Sequence, residues 1–83
     1  MNWQDYIHSD DKILVGKPVI KGTRISVEFL IELMASGWSR QQILDNYPRL
    51  TNDAVTAVFF YVLECMRDGL LFAPNIINKN QAA

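Results

Sequence analysis

The sequence predicts a mainly α-helical fold with three helices and a short N-terminal arm that contains β-structure. Three segments carry apolar residues at helical spacing, and each follows a serine or threonine suited to capping a helix. Two glycines and a proline exclude a stable helix from residues 16–22. Because 83 residues supply the core of one domain, we predict an extended β arm with a basic turn over 1–26, a helix-turn-helix core over 27–73 and a flexible tail over 74–83.

The arm contains two short runs that favour β-structure, Tyr6–His8 and Lys12–Val15, followed by a tight turn at Gly22. The apolar pair Val19–Ile20 precedes this turn and Ile25 follows it, so that a hairpin is expected there. Isolated strands of this length are marginally stable. We therefore expect them to pair with each other or with the same strands of a second subunit.

The first two helices have clear start and stop signals. Ser26 is the expected N-cap of the first helix, and Gly37 is its expected C-terminal stop. The second helix starts at Ser39, where Gln42 completes a capping box. It must end near residues 46–47, because Pro48 disfavours helical geometry in the residue before it.

The third helix is capped by Thr51, runs to about Asp68 and ends at Gly69. One apolar stripe comprises Val55, Val58, Phe59, Val62, Leu63 and Met66, and further apolar residues, Ala57, Phe60 and Tyr61, lie largely off it. A helix that is apolar on more than one face is normally buried on more than one face. We interpret the second face, together with Leu70, Leu71 and Phe72, as a homodimer or partner interface. The alternative is that the N-terminal strands or residues 70–72 fold back over it.

Positive charge is concentrated between Lys12 and Arg24. This segment has four basic residues and no acidic one, whereas the remainder has four basic and nine acidic residues, a balance of −5. The cluster is either a solvated surface or a patch that binds phosphate or acidic groups. Arg24 could contact a phosphate, or it could pair with Glu28 or Glu32 of the first helix.

The sequence predicts no catalytic residues, no metal site and no cofactor. A single cysteine, Cys65, and a single histidine, His8, cannot form a zinc cluster or a disulfide, and neither has a spaced partner for nucleophilic catalysis. No apolar stretch is long enough to cross a membrane, and the polar N-terminus is unlike a signal peptide. We therefore expect a cytoplasmic protein, and one free thiol fits a reducing compartment.

The order of short helix, proline-containing turn and longer helix is that of a helix-turn-helix unit. Thr51, Asn52 and Thr56 in the first turn of the third helix would face the DNA. Asn52 could pair bidentately with adenine, and Thr56 could touch a thymine methyl. The objection is electrostatic, because Arg49 is the only cation near the turn in the sequence and Asp53 opposes phosphate. The pattern alone fits a plain helical bundle equally well.

The segment Gly16–Ile25, with the sequence GKPVIKGTRI, resembles the domain-of-unknown-function 433 family of small bacterial proteins. The resemblance extends over roughly residues 6–65 and includes the segment 46–51. The chain departs from the family pattern at Leu14–Val15, where many members have Cys-Gly, and at Ser26, where they have Pro. These departures leave the chemistry of the glycine turn unchanged.

The resemblance implies a homeodomain-like or winged-helix-like three-helix core and a role in a type II toxin–antitoxin system. In such a system the antitoxin neutralises a toxin, often a PIN-like ribonuclease, and commonly represses its own operon as a dimer. We therefore expect a homodimer that binds a toxin and operator DNA, with candidate DNA contacts at Lys17, Lys21, Arg24, Arg49, Thr51, Asn52 and Thr56. The alternatives are an interaction module that binds only protein on the same scaffold and, least favoured, an enzyme.

Overall fold

The structure is a computed structural model of the chain, and it describes residues 1–69. The described elements are a 3-10 turn at Trp3–Asp5, strand β1 at Ile7–His8, a 3-10 turn at Leu14–Gly16, strand β2 at Val19–Ile20, helix α1 at Val27–Ala35, helix α2 at Arg40–Asn46 and helix α3 at Asn52–Arg67. The predicted fold class, mainly helical with three helices and short N-terminal β-structure, is confirmed. The tail expected at 74–83 lies outside the described residues, as do Leu70, Leu71 and Phe72.

The two strands pair with each other in antiparallel orientation, which is one of the two pairings expected from the sequence. Ile7 stands opposite Ile20, and both side chains are buried. The turn at Gly22 follows β2 and returns the chain, since the Ile20 N–H donates to the Ile25 carbonyl at 2.9 Å. Gly22 has a φ of +79°, a left-handed conformation that favours glycine.

The strand predicted at Lys12–Val15 is wrong, because this segment forms turns. The Asp10 carboxylate accepts the Lys12 N–H at 2.9 Å, and the Asp10 carbonyl accepts the Ile13 N–H at 2.8 Å. An aspartate that bonds the backbone two residues onward stabilises a turn in place of a strand. Val15 then adopts a φ of +57°, which is incompatible with a strand.

The helix starts follow the sequence signals. The Ser26 hydroxyl accepts the Phe29 N–H at 2.9 Å at the start of α1. At α2, Ser39 and Gln42 form the predicted reciprocal capping box. The Thr51 hydroxyl accepts the Ala54 N–H at 3.1 Å at the start of α3. Each cap satisfies backbone N–H groups that the first turn of a helix leaves free.

Helix α1 ends in a Schellman motif, with Gly37 at a φ of +96°. The Gly37 N–H donates to the Met34 carbonyl and the Trp38 N–H donates to the Leu33 carbonyl, each at 3.0 Å. This pair of bonds defines the motif and requires a residue that tolerates the left-handed region. The predicted stop at Gly37 is therefore confirmed.

The core joins the N-terminal strands to all three helices. Its buried apolar residues are Ile7, Val19, Ile20, Val27, Leu30, Ile43, Leu50, Ala54, Val55, Ala57 and Val58. Trp3 packs edge-on against Tyr61 at 4.8 Å between ring centroids, and its indole N–H donates to Glu64 at 3.0 Å. The N-terminal segment is thereby packed along α3. Over residues 1–69, no helix is long and apolar enough to cross a membrane.

Candidate functional site

The second half of α3 exposes a contiguous set of large apolar side chains. Phe59 is 50% exposed, Leu63 37% and Met66 57%, and their spacing of four and three residues places them on one side of the helix. We call these three residues the α3 apolar surface, and Phe60, 42% exposed, lies beside it. All fully buried residues of α3 lie in its first half, between residues 54 and 58. In the described residues, the second half of α3 therefore has an apolar side that the domain leaves uncovered.

The division of α3 between core and surface differs from the sequence prediction. Ala57, a predicted partner contact, is completely buried in the domain's own core and is unavailable to a partner. Tyr61 is half-buried, because Trp3 packs against it. Phe60 is exposed, as an interface residue requires. The N-terminal segment thus covers part of the second face, which is the alternative that the sequence left open.

An apolar groove of about 460 Å³ lies between α1 and the second half of α3. Its apolar lining is formed by Pro18, Val27, Ile31, Tyr61, Val62 and Cys65, and its charged lining by Lys17, Glu28 and Glu32. Burial raises the pKa of the Tyr61 phenol, and the neighbouring Cys65 raises it further. The groove therefore presents an apolar floor with charged groups at its rim.

Arg40, the first residue of α2, organises the N-terminal end of α3. One guanidinium nitrogen, Nη1, donates to the Asn52 carbonyl at 3.1 Å, to Asn52 Oδ1 at 2.8 Å and to Thr56 Oγ1 at 2.8 Å. The guanidinium carbon also lies 6.0 Å from the centroid of the Phe59 ring, a distance at the limit of a cation–π contact. Arg40 therefore links the two helices of the helix-turn-helix unit.

These bonds change what the predicted recognition residues can read. A bidentate contact to adenine needs both the side-chain oxygen and the amide group of Asn52. Because Asn52 Oδ1 already accepts from Arg40, the residue as held presents its amide N–H groups, which suit phosphate or another acceptor. Arg40 is a second cation, in addition to Arg49, near the first turn of α3. It weakens the objection that this turn has too little positive charge to bind DNA.

Arg40 was missed as a site residue for a physical reason. Its partners lie 12 and 16 residues further along the chain, and helical periodicity reports only neighbours three or four residues apart. The capping box at Ser39 places the residue at the start of α2 but says nothing about the direction of its side chain. The only available signal was an arginine in the first turn of a helix, where a cation is disfavoured by the helix dipole.

The predicted basic residues separate into two groups. Arg49 Nη1 donates to the Gly22 carbonyl at 3.3 Å, which joins Arg49 to the turn that carries Lys21 and Arg24. Lys17 lies elsewhere, because its ammonium is 3.5 Å from the Glu28 carboxylate on α1. Within residues 1–69 this is the sole ion pair, so the pairing of Arg24 with Glu28 or Glu32, one of the two roles that the sequence left open, is not formed, and Lys17 pairs with Glu28.

The described residues include no group of three or more His, Cys, Asp or Glu side chains arranged to hold a metal ion. His8 is half-buried. Its Nε2 atom is buried and has no hydrogen-bond partner in this part of the chain. His8 Nε2 is therefore, within residues 1–69, an exception to the rule that buried polar atoms find a partner.

A family model described as "Protein of unknown function (DUF433)" matches residues 7–62, more than half of the chain. A crystal structure of a DUF433 member protein from Anabaena variabilis superposes with a TM-score of 0.71 at 28% sequence identity. That match covers 78% of this chain and 64% of the other, so this chain accounts for less than two thirds of the length of its relative. No curated protein matches the sequence.

Proposed function

The chain belongs to the DUF433 family, and from this premise we propose that it is an antitoxin-like protein of a type II toxin–antitoxin system in the cytoplasm. In this proposal two copies form a homodimer, the dimer binds and neutralises a toxin protein, and it binds operator DNA through the helix-turn-helix unit. The observation that carries the proposal is the α3 apolar surface, which is exposed on the second half of the longer helix of that unit. Exposed apolar patches on small domains mark sites of association.

The α3 apolar surface supports self-association. A domain of this size buries only about 60% of the surface of its unfolded chain, and small domains often gain stability from a second subunit. Burial of apolar area contributes about 25 cal/mol per Å². Pairing Phe59, Leu63 and Met66 with the same residues of a second copy gives both copies this contribution, because a two-fold interface uses the same surface twice.

The groove between α1 and α3 supports the binding of a toxin. An apolar centre surrounded by charged groups is the usual composition of a protein–protein interface. Ile31, which is 39% exposed in the groove wall, is suited to contact an apolar side chain of the partner. A PIN-like ribonuclease is the toxin class that the family resemblance suggests.

The DNA part of the proposal is supported by the basic groups around the helix-turn-helix unit. Arg40 bonds the N-terminal end of α3, Arg49 lies in the connection between α2 and α3, and the Gly22 turn adds Lys21 and Arg24. Dimerisation doubles this set and supplies a second half-site. Each phosphate that the protein neutralises steepens the dependence of binding on salt.

Fluorescence anisotropy with a labelled duplex from the region upstream of the gene tests the DNA part. We expect binding by the full chain whose affinity falls steeply as salt rises from about 0.05 M to about 0.2 M. A shuffled duplex of the same composition is the control for sequence preference. Absence of binding at the lowest salt concentration would contradict operator binding.

Copurification with the protein encoded by the adjacent gene tests the toxin part. We expect the wild-type chain to retain a tagged copy of that protein, and Ile31→Glu to lose it, because a carboxylate would be buried in the groove. Leu14→Glu is the matched control, since Leu14 is 39% exposed and lies outside the groove. Equal retention by Ile31→Glu and the control would contradict binding through the groove.

The second candidate function is an interaction module that binds protein without DNA. It is favoured by the exposed acidic residue Asp53 in the first turn of α3, which opposes phosphate, and by the net charge of −1. Retention of the neighbouring gene product combined with no DNA binding at low salt would select this function over the first.

A further inference from the structure

A recess of about 340 Å³ lies between the end of β1, Ile13, the Gly22 turn and Arg49. It is lined by His8, Ile13, Gly22, Thr23, Arg24 and Arg49. Residues from four places in the chain therefore form one small concave site. The volume is within the usual range for the binding of a small group or ligand.

The recess is held in shape by hydrogen bonds. Thr23 Oγ1 donates to the Ile20 carbonyl at 2.8 Å and accepts the Ile25 N–H at 3.0 Å, so its hydroxyl fixes the turn. The Lys21 N–H donates to the Tyr6 carbonyl at 2.8 Å, which joins the turn to the start of β1. Arg49 closes the other side through its bond to the Gly22 carbonyl at 3.3 Å.

The recess carries positive charge without a counter-charge. Its six lining residues include two arginines, Arg24 and Arg49, and no acidic residue. Neither arginine forms an ion pair with any residue of the described part of the chain. A further polar atom of the wall, His8 Nε2, is buried without a hydrogen bond in the described residues.

This chemistry selects a phosphate group. Guanidinium groups bind phosphate through paired parallel hydrogen bonds, and two of them on one recess can hold a single phosphate from two sides. The open surface at Gly22 permits close approach, because no atom lies within 4 Å of the position that a Cβ would occupy there. Backbone N–H groups and glycine turns are common where protein backbone approaches phosphate.

We infer that the recess holds one backbone phosphate of bound duplex DNA, clamped between the Gly22 turn and the helix-turn-helix turn. The inference rests on the proposed DNA binding, because that function supplies the phosphate. The recess fixes the position of the N-terminal region on the DNA relative to α3, since Arg49 belongs to the connection between α2 and α3 and Arg24 to the turn after β2. Phosphate contacts of this kind set register and carry no base sequence information.

The test uses the slope of log affinity against log salt concentration for the full chain. We compare the wild type, Arg24→Gln, Arg49→Gln and the double variant on the upstream duplex. One phosphate contributes about 0.9 to this slope, equivalent to about a fivefold change in affinity at 0.15 M salt. Because both arginines hold the same phosphate, the double variant is expected to lose about 0.9, and each single variant less than that, since the remaining guanidinium still neutralises the phosphate.

Arg67→Gln is the matched control, since it removes the same charge at the far end of α3 and is expected to leave the slope unchanged. Arg24→Gln is expected to fold as the wild type does, because Arg24 makes no side-chain hydrogen bond with residues 1–69. Its replacement leaves the bond between Arg49 and the Gly22 turn in place. Thermal unfolding of each variant verifies the fold.

A second measurement distinguishes a DNA phosphate from a free one. In NMR titrations of the full chain, the side-chain N–H signals of Arg24 and Arg49 are expected to move with the duplex at micromolar concentrations, and not with equimolar inorganic phosphate or a mononucleotide. Saturation by either small molecule at those concentrations would overturn the DNA assignment in favour of a small-ligand site.

The two proposals fail differently. A wild-type slope in the double variant, with DNA still bound, would overturn the recess and leave the proposed function standing. A loss of about 0.9 in each single variant and about 1.8 in the double variant would mean two separate phosphates and would also overturn the clamp. No binding of DNA by the wild type would overturn both.

Discussion

At the scale of single residues, Arg40 fixes the geometry of the helix-turn-helix unit formed by α2 and α3. Its guanidinium bonds both Asn52 and Thr56 and thereby fixes the position of α2 against the first turn of α3. A hydrogen bond from a charged group contributes more than a neutral one, although partial exposure reduces its worth. Arg40 therefore has a structural role that is separate from any contact with DNA.

Replacing Arg40 with alanine is expected to lower the free energy of unfolding by about 1 kcal/mol, because Asn52 and Thr56 lose their shared partner. Urea denaturation of the full chain, followed by circular dichroism, measures the change. Lys12→Ala is the control, since Lys12 is exposed and its side chain makes no hydrogen bond in the described residues. An Arg40→Ala variant as stable as the control would show that these bonds contribute nothing.

Tyr61 makes the free energy of unfolding depend on pH in the alkaline range. Burial and then Cys65 raise the pKa of its phenol above the ordinary value of about 10. The folded state therefore holds the phenolic proton more tightly than the unfolded state, and stability falls as pH rises above the unfolded value and through the folded one. The urea midpoint of the wild type is expected to fall more steeply above pH ~10 than that of Tyr61→Phe. Equal slopes would contradict this account.

At the scale of elements, the helix boundaries depend on a few capping residues and glycines. Gly37 ends α1 at a φ of +96°, and nothing lies within 4 Å of its absent Cβ, so the cost of a side chain there is purely one of backbone conformation. Gly37→Ala is expected to lower the free energy of unfolding by about 1 kcal/mol. Gly37→Asn is expected to lose less, because asparagine tolerates the left-handed region. Thermal melts of both variants measure the difference, and equal losses would contradict the conformational explanation.

The sequence was sufficient to predict these elements because their signals are local. Ser26, Ser39 and Thr51 lie within three residues of the N–H groups that they cap. The wrong prediction of a strand at Lys12–Val15 arose from two local signals that disagree. The apolar run favours a strand, whereas the Asp10 side chain stabilises a turn. Local β-propensity is weak beside specific turn chemistry.

The candidate site was less predictable than the helices, because its contacts join distant segments. Helical spacing showed that α3 has more apolar surface than one face can bury, but it assigned Ala57 to the exterior and Phe59 to the interior. The packing of Trp3 against Tyr61 decides which face is covered, and the two residues are 58 positions apart in sequence. The bonds of Arg40 to α3 and of Arg49 to Gly22 were not predicted for the same reason, because each joins residues that are far apart in sequence.

At the scale of the whole molecule, the domain has its core at one end of α3 and exposed apolar side chains at the other. The buried residues of α3 end at Val58, whereas the α3 apolar surface starts at Phe59. The basic recess at the Gly22 turn and the α3 apolar surface involve different residues. The proposed DNA contact and the proposed contact with a second copy therefore use separate sites, which is the arrangement that the proposed function requires.

The central claim is that a second copy covers the α3 apolar surface, and sedimentation equilibrium of the full chain tests it most directly. We expect the wild type and Leu14→Glu to sediment as dimers, and Leu63→Glu to sediment as a folded monomer with a wild-type circular dichroism spectrum, because a charge cannot be buried unpaired in the interface. Leu14 is a matched control at 39% exposure against 37% for Leu63. A monomeric wild type at every concentration, or a Leu63→Glu variant that still dimerises, would contradict the claim.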